Sequence, residues 1–143
     1  MEDTYRFSHQ LKVRYSEIDG QKIVFNAHYL TYIDAAVSEY FQEGLQFDIV
    51  KLAEEGKFDF VLAKSTLEYK RSAQLNDWLT IWCRVSKIGS SSMTMNFKIT
   101  REGETDPLLL AEIIYVSYNP HTKKSQPVPA FVRERILEFE NNT

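Results

Sequence analysis

Hydrophobic and polar residues alternate along most of the second half of the chain, which is the pattern of β-strands with one buried face. Four strands are predicted there, over residues 60–71, 78–88, 93–101 and 108–119. The connections between them are short, so consecutive strands are expected to pair antiparallel, because a parallel pair needs a long crossover. A further strand is predicted earlier in the chain, over residues 7–17.

The first half of the chain shows a helical period instead. A long helix is predicted to begin near Asn26, a residue type that caps helix N-termini, and to end near Gly44. Its buried face is formed by residues at helical spacing, which are Tyr29, Leu30, Ile33, Val37, Tyr40 and Phe41. A shorter helix is expected over residues 48–57 with Asp48 as its cap, and a terminal helix over residues 129–140.

The order of these elements is strand, long helix, short helix, four strands and helix, which predicts the α+β class. A long apolar helix after the first strand is expected to be wrapped by the twisted sheet, as in the hot-dog fold. We therefore predict a single hot-dog domain over residues 1–143, with a central helix wrapped by a five-stranded antiparallel sheet. Subunit pairing commonly covers the edges of such a sheet, so a homodimer or a dimer of dimers is expected.

Composition narrows the class of protein. Hydrophobic residues make up 43% of the chain and charged residues 26%, as in folded globular proteins. The net charge of -3 argues against a nucleic-acid-binding protein, which usually carries a basic excess. The single cysteine, Cys83, excludes an internal disulfide and alternates with apolar residues, so a buried thiol is expected rather than a nucleophile. No apolar run is long enough for a membrane span or a secretory signal, and a cytoplasmic protein is expected.

Residues 13–36, VRYSEIDGQKIVFNAHYLTYIDAA, carry a recognisable motif. They resemble the N-terminal part of the hot-dog acyl-CoA thioesterases of the 4-hydroxybenzoyl-CoA thioesterase type, which include relatives encoded near the Tol-Pal envelope system of bacteria. The positions that match the family pattern are Glu17, Asp19, Val24, Phe25 and Tyr29. Residues 60–81, FVLAKSTLEYKRSAQLNDWLTI, resemble the second strand of the family and the turn after it.

Two groups of the motif carry the chemistry that the resemblance implies. Asp19 would act as the general base that activates water, or as a nucleophile that forms an anhydride, and both remain open. The backbone N–H of Asn26, at the positive end of the helix, would stabilise the developing oxyanion, with help from Ala27. By residue type alone, the Asp-Gly pair is also typical of a plain turn. The chain departs from the family at Gln21-Lys22, where glycines are common, and at Asn26, where some members have histidine.

Substrate contacts are predicted at six positions, namely Glu17, Tyr29, Lys64, Ser65, Lys87 and Ser91. Glu17 would enter the cleft, although a solvated carboxylate at the strand end is the more ordinary interpretation. The Tyr29 ring would pack while its hydroxyl lines the acyl site. The lysines would meet the phosphates of CoA at the rim of the cleft, as would Lys70 and Arg71, and the serine-rich turn 89–92 would donate hydrogen bonds.

The resulting prediction is an acyl-CoA thioesterase that hydrolyses a CoA thioester to the free acid and CoA. No metal or redox cofactor is expected, because no group of His, Cys and Asp residues has ligand spacing. Two alternatives stay open. One is an acyl-CoA or acyl-carrier-protein hydratase or dehydratase on the same fold, with His28 as the catalytic residue. The other is a non-catalytic module that binds acyl-CoA.

Overall fold

A computed structural model of the protein describes residues 4–141, so residues 1–3 and 142–143 of the predicted domain lie outside the described residues. Six strands and three α-helices occur within the described range, in the predicted order apart from one additional short strand. Their bounds are β1 Phe7–Lys12, α1 His28–Glu39, α2 Ile49–Glu54, β2 Asp59–Tyr69, β3 Trp78–Ile88, β4 Ser92–Arg101, β5 Pro107–Asn119, β6 Lys124–Ser125 and α3 Ala130–Asn141.

The strands form one antiparallel sheet in the order β1-β3-β4-β5-β2, and β6 pairs with the end of β5. The face of the sheet that α1 covers is called the inner face, and the opposite one the outer face. Ile33 and Ala36 of α1 are fully buried and share one hydrophobic core with inner-face residues such as Ile81, Phe97 and Ile113. This is the hot-dog arrangement, and the prediction of the α+β fold class is confirmed.

The first strand is shorter than the predicted range of residues 7–17. β1 has only 6 residues, and a 3-10 turn over Tyr15–Glu17 follows it. The cause is local, since the Glu17 carboxylate accepts the Arg14 backbone N–H at 2.8 Å and the chain bends instead of extending its ladder. Tyr15, the first residue of this turn, is 80% exposed.

The central helix begins at His28 rather than at Asn26. The cap position is Ala27, and no side chain accepts a hydrogen bond there, so the prediction that Asn26 caps the helix is wrong. α1 ends in a π-helical turn over Tyr40–Gly44, which agrees with the predicted end. Asp48 caps α2 as predicted, and its side chain accepts a first-turn N–H at 3.1 Å. The start of α1 therefore lacks the capping side chain that the start of α2 has.

β2 forms one edge of the sheet. It pairs with β5 along one side, and its other side has no strand partner between residues 4 and 141. Its Tyr69 ring contacts the Tyr29 ring of α1 with the centroids 5.8 Å apart. Side chains alternate along a strand, so Ser65 lies on the inner face with Tyr69, whereas Lys64 lies on the outer face. Most of β2 is exposed, including Leu62 at 47%. An apolar and unpaired strand edge therefore lies beside the central helix.

Candidate active site

Residues 17–25 form a tight hairpin between β1 and α1, here called the Asp19 hairpin. The Phe25 N–H donates across it to the Glu17 carbonyl at 3.0 Å. The turn is closed by the Lys22 N–H, which donates to the Asp19 carbonyl at 2.9 Å. Asp19 therefore stands at the first position of a β-turn that precedes the central helix.

The Asp19 carboxylate is oriented by this turn. Its Oδ1 accepts the Gln21 N–H at 2.8 Å, which is the hydrogen bond of an Asx-turn. Its Oδ2 has no hydrogen-bond partner in the part of the chain that the structure describes. Interpreting the Asp-Gly pair as a turn is therefore correct, and the turn fixes the direction of the carboxylate while leaving one oxygen available for chemistry.

A cavity of about 490 Å³ lies between the Asp19 hairpin, the start of α1 and the end of β2. Its lining includes the residues Asp19, Val24, Asn26, Tyr29, Tyr69 and Lys70. A second cavity of about 600 Å³ also borders Asp19 and is lined by apolar residues that include Tyr15, Ile18 and Leu75. The partly exposed carboxylate thus borders two spaces, and it shares the first of them with the start of the central helix.

The backbone amides at the start of α1 differ in their hydrogen bonding. The His28 N–H donates to the Phe25 carbonyl at 2.9 Å, and the Tyr29 N–H donates to the Asn26 carbonyl at 3.3 Å. The amides of Asn26 and Ala27 have no acceptor among the described residues. Unpaired N–H groups at the positive end of a helix are suited to an oxygen that gains negative charge.

Tyr29 forms the wall of the cavity behind these amides. Its hydroxyl oxygen accepts the Ala73 N–H at 3.0 Å, and the Ala73 carbonyl in turn accepts the Val24 N–H at 2.9 Å. Burial raises the pKa of Tyr29, so the side chain stays neutral. The structure thus places the Tyr29 ring in the core and its hydroxyl at the loop after β2, next to the cavity that Asp19 lines.

Glu17 lies in a different place from the one that the sequence suggests. It is only 4% exposed, so the interpretation as a solvated carboxylate is wrong. Its Oε1 accepts the Tyr32 hydroxyl at 2.8 Å, and the Arg14 guanidinium donates to its Oε2 at 2.6 and 3.0 Å. It borders a third cavity of about 400 Å³ and not the one that Asp19 shares with Asn26, so the predicted substrate contact has no matching geometry in this chain.

Tyr32 and Arg14 were not predicted to matter. An aromatic residue at helical spacing from Tyr29 looks like ordinary core, and nothing in the sequence shows that its hydroxyl meets a carboxylate. The Arg14-x-x-Glu17 spacing is the one available hint, because the glutamate of a capping box also reaches back three residues to a cap N–H, as Glu17 does to the Arg14 N–H.

The other predicted substrate contacts lie apart from Asp19 within one chain. Lys64 lies on the outer face of β2, and Ser65 is exposed on its inner face. Lys87 and Ser91 lie at the far end of β3, where the Ser91 carbonyl accepts the Ser117 N–H at 2.8 Å. These four contacts remain predictions. Of the cations considered above, two line the cavity itself, namely Lys70 and Arg71.

Two residues with nucleophile or acid-base chemistry are excluded from the site by their positions. His28 packs its ring against Phe25 with the centroids 6.1 Å apart and does not line the 490 Å³ cavity. Cys83 is fully buried, which confirms the prediction of a core thiol, and burial raises its pKa well above the ordinary value. Asp19 is the carboxylate among the residues that line this cavity, and it is the candidate base or nucleophile.

Among residues 4–141, no group of three or more His, Cys, Asp or Glu residues is arranged to hold a metal ion. No described helix is both long and apolar enough to cross a bilayer.

Comparison with protein families decides the class. The model of the family described as thioesterase superfamily matches residues 21–108. The chain belongs to the thioesterase superfamily. The predicted family and the predicted enzyme class, a thioester hydrolase, are thereby confirmed. The range that matches the superfamily includes Asn26 and begins just after Asp19.

Individual relatives of this thioesterase superfamily member support the same class. YbgC of Escherichia coli O157:H7, an acyl-CoA thioester hydrolase, is 26% identical over 138 residues, 96% of this chain and 98% of YbgC. FadM of Escherichia coli strain K12, a long-chain acyl-CoA thioesterase, is 28% identical over 131 residues, 91% of this chain and 96% of FadM. The structure of SAV2348 from Staphylococcus aureus in complex with CoA has a TM-score of 0.86 at 17% identity, covering 100% of this chain and 89% of that one. At that identity the likeness shows the shared fold.

Proposed function

We propose that this thioesterase hydrolyses acyl-CoA thioesters, with Asp19 as the catalytic carboxylate and the Asn26 amide as the oxyanion donor. The observation that carries the proposal is that Asp19 and the unpaired Asn26 N–H border one cavity of about 490 Å³. The activities for which YbgC and FadM are named support acyl-CoA as the substrate class. The proposed compartment is the cytoplasm, because the free thiol of Cys83 fits a reducing environment.

The hydrolysis needs a base or nucleophile together with a donor for the carbonyl oxygen. Asp19 either takes a proton from the attacking water or attacks the carbonyl carbon itself, and water then hydrolyses the mixed anhydride. In both routes the carbonyl oxygen gains negative charge beside the Asn26 N–H, and the C–S bond breaks. CoA leaves as a thiolate that takes up a proton, and the acyl group leaves as the free acid. An oxyanion donor of this kind contributes about 10²–10³ to turnover.

The phosphates of CoA need cations at the rim of the cavity, and Lys70 and Arg71 are placed there. Their side chains are 46% and 41% exposed, and each pairs with one acidic group, Glu68 at 3.4 Å and Glu104 at 2.8 Å. Such exposed ion pairs are weak, so a multiply charged phosphate competes with them. SAV2348, which shares the fold, binds CoA in its solved structure. The KM for an acyl-CoA is expected to rise with ionic strength, and a KM indifferent to salt would contradict this rim.

A homodimer through the open edge of β2 completes the proposed enzyme. This edge strand has 11 residues and exposes Val61 at 43% beside Leu62. A long apolar strand edge invites pairing with another chain. Pairing with a second copy would cover the exposed residues of β2. A dimer of dimers would use the same pair as its unit.

The dimer is tested by sedimentation of the wild type and of the Leu62→Lys variant. The wild type is expected to have the mass of a dimer or tetramer, and the variant the mass of a monomer, because a charge on this edge opposes pairing. Val50→Lys is the matched control, since Val50 is an exposed apolar residue of α2 at 64%. A monomeric wild type, or equal effects of the two substitutions, would contradict the proposed dimer.

The proposed activity is tested with a panel of short, long and aromatic acyl-CoAs. Release of free CoA thiol is expected for at least one member of the panel. Addition of water to an enoyl-CoA without thiol release would indicate the hydratase alternative, for which the cavity offers no histidine. Tight binding of acyl-CoA without turnover would indicate a binding module. Either outcome would overturn the proposed function.

A further inference from the structure

Arg14, Glu17 and Tyr32 form a hydrogen-bonded group at the base of the Asp19 hairpin, here called the Glu17 cluster, in which Glu17 and Tyr32 are buried and the Arg14 side chain is exposed. Two donors meet Oε1 of Glu17, the Tyr32 hydroxyl and the Arg14 backbone N–H, and the Arg14 guanidinium meets Oε2. Burial alone would raise the pKa of Glu17, but these hydrogen bonds outweigh it and the pKa lies below its ordinary value. Glu17 is therefore an ionised and fully partnered carboxylate, with no acceptor site left for a substrate.

The backbone of Glu17 is also linked to both of the proposed reacting groups. Its carbonyl accepts the Phe25 N–H at 3.0 Å, and Phe25 directly precedes Asn26. On the other side, Asp19 follows it closely in the same hairpin, where the Asp19 N–H donates to the Ile23 carbonyl at 2.9 Å. Both the carboxylate and the amide of the proposed reaction centre are thus tied to the backbone of Glu17 by short paths.

The Asp19 hairpin has few other ties to the rest of the molecule. The Val24 N–H donates to the Ala73 carbonyl at 2.9 Å, and Ile23 forms a bridge with Gln74, so these bonds hold the hairpin to the loop after β2. Among the described residues, the Tyr32–Glu17 bond is the one side-chain hydrogen bond between the hairpin and α1. This bond adds to the backbone bond from the His28 N–H to the Phe25 carbonyl and to the packing of Val24 in the core, and it is the side-chain bond that fixes the hairpin on the central helix.

We infer that Glu17 is a positioning residue of this enzyme, which holds the Asp19 hairpin on α1 through Tyr32 and so sets the separation between Asp19 and the Asn26 amide. The inference rests on the proposed function, since it assumes that those two groups react. A displacement of about 1 Å at a reaction centre can lower turnover by about 10²-fold. A glutamine at position 17 keeps the volume of the side chain but presents N–H groups to donors, so it loses part of the cluster.

The chain contains a matched control for this cluster. Oε2 of Glu140, on α3, also accepts a tyrosine hydroxyl and a backbone N–H, from Tyr40 at 2.5 Å and from Val85 at 2.9 Å. This group, here called the Glu140 cluster, joins α3 to β3 and lies away from the cavity of Asp19. The same substitutions in the two clusters remove the same kinds of bond, and only one of the clusters is tied to the reaction centre.

The experiment compares Glu17→Gln and Tyr32→Phe with Glu140→Gln and Tyr40→Phe, measuring kcat, KM and Tm with the best acyl-CoA of the panel. Glu17→Gln is expected to lower kcat by about 10- to 100-fold, as outer-sphere partners do in other enzymes, with KM within about 2-fold. Tyr32→Phe is expected to lower kcat in the same direction but less, because Arg14 still holds Glu17. The Glu140 cluster variants are expected to lower Tm while kcat stays within about 2-fold. Tyr32→Phe serves as the second test if Glu17→Gln does not fold.

Asp19→Asn in the same assay distinguishes a failure of the positioning inference from a failure of the proposed reaction centre. If Asp19→Asn is inactive and both pairs of variants lose kcat equally, or neither pair loses it, Glu17 has only a structural role and the positioning inference is overturned. If folded Asp19→Asn keeps the wild-type kcat, the proposed reaction centre is itself wrong, and the inference is overturned with it. A fall in kcat confined to the Glu17 cluster, with an inactive Asp19→Asn, supports both.

Discussion

Glu17, near the start of α1, and Glu140, on α3, each accept a tyrosine hydroxyl and a backbone N–H on a single carboxylate oxygen. The two regions differ in what surrounds these bonds. The Glu140 cluster joins α3 to β3, and the cavity that it borders contains neither Asp19 nor Asn26. The Glu17 cluster holds a hairpin that opens onto cavities. On the proposed mechanism, the same local chemistry serves stability in one region and the placement of the reacting groups in the other.

The backbone explains why each region needs its carboxylate. Val85 lies at a register shift between β3 and β4 and beyond the end of β1, so its N–H finds an acceptor in Glu140 instead of in a strand. Arg14 lies after β1 has ended, and its N–H finds an acceptor in Glu17. Each glutamate thus satisfies a backbone donor that the sheet leaves unpaired.

Replacing Glu140 and Glu17 by alanine should give the largest difference in stability between the two clusters. Glu140→Ala leaves the buried Tyr40 hydroxyl and the Val85 N–H without an acceptor, which is expected to lower the free energy of unfolding by about 2–4 kcal/mol. Glu17→Ala is expected to cost less, about 1–3 kcal/mol, because the Arg14 side chain is 75% exposed and returns to water. Urea unfolding at constant m-value checks both. A larger loss of unfolding free energy for Glu17→Ala than for Glu140→Ala would contradict the larger contribution of the Glu140 cluster to stability.

Acid should remove a smaller part of the stability, through Glu17. Its folded-state pKa lies below the ordinary value of 4.5, so its contribution is complete above about pH 4.5 and is lost as the pH falls through the folded-state pKa. The Tm deficit of Glu17→Gln relative to the wild type is therefore expected to shrink between pH 7 and about pH 3. Thermal unfolding at a series of pH values measures it. A deficit that stays constant with pH would show that the charge of Glu17 contributes nothing.

Asn26→Ala should have the smallest effect of the three. The Asn26 side chain is exposed and does not cap α1, and the proposed donor is the backbone N–H, which alanine retains. We expect kcat within about 3-fold of the wild type, well below the 10²–10³ attributed to a lost oxyanion donor. Steady-state kinetics decides this. A 100-fold loss of kcat in a folded Asn26→Ala variant would show that the side chain of Asn26, and not its backbone N–H, is the oxyanion donor.

Most of the fold was predictable because it depends on short-range patterns. Alternation gave the strands β2 to β5 to within a few residues, and their short connections gave the antiparallel order. Asp48 was predicted as a cap because capping is a local interaction. The hot-dog class followed from these elements and from the resemblance of the 13–36 motif.

The errors occur where distant residues decide the local structure. The end of β1 depends on Glu17, whose burial depends on a tyrosine of α1 that sequence spacing marks only as core. Asn26 fits a cap by type, but the Phe25 carbonyl accepts the His28 N–H and starts the turn without it. The candidate site was predictable at Asp19, which the motif places in the loop, and not at the Glu17 cluster, which only the folded chain brings together.

The central claim is that Asp19 performs the chemistry, and the turnover of Asp19→Asn beside Asp48→Asn tests it most directly. Both aspartates accept a backbone N–H, from Gln21 at 2.8 Å and from Lys51 at 3.1 Å, and asparagine retains that bond at each site. We predict that Asp19→Asn keeps its Tm and loses at least about 10²-fold in kcat, while Asp48→Asn keeps the wild-type kcat. Wild-type turnover by a correctly folded Asp19→Asn enzyme would contradict the account.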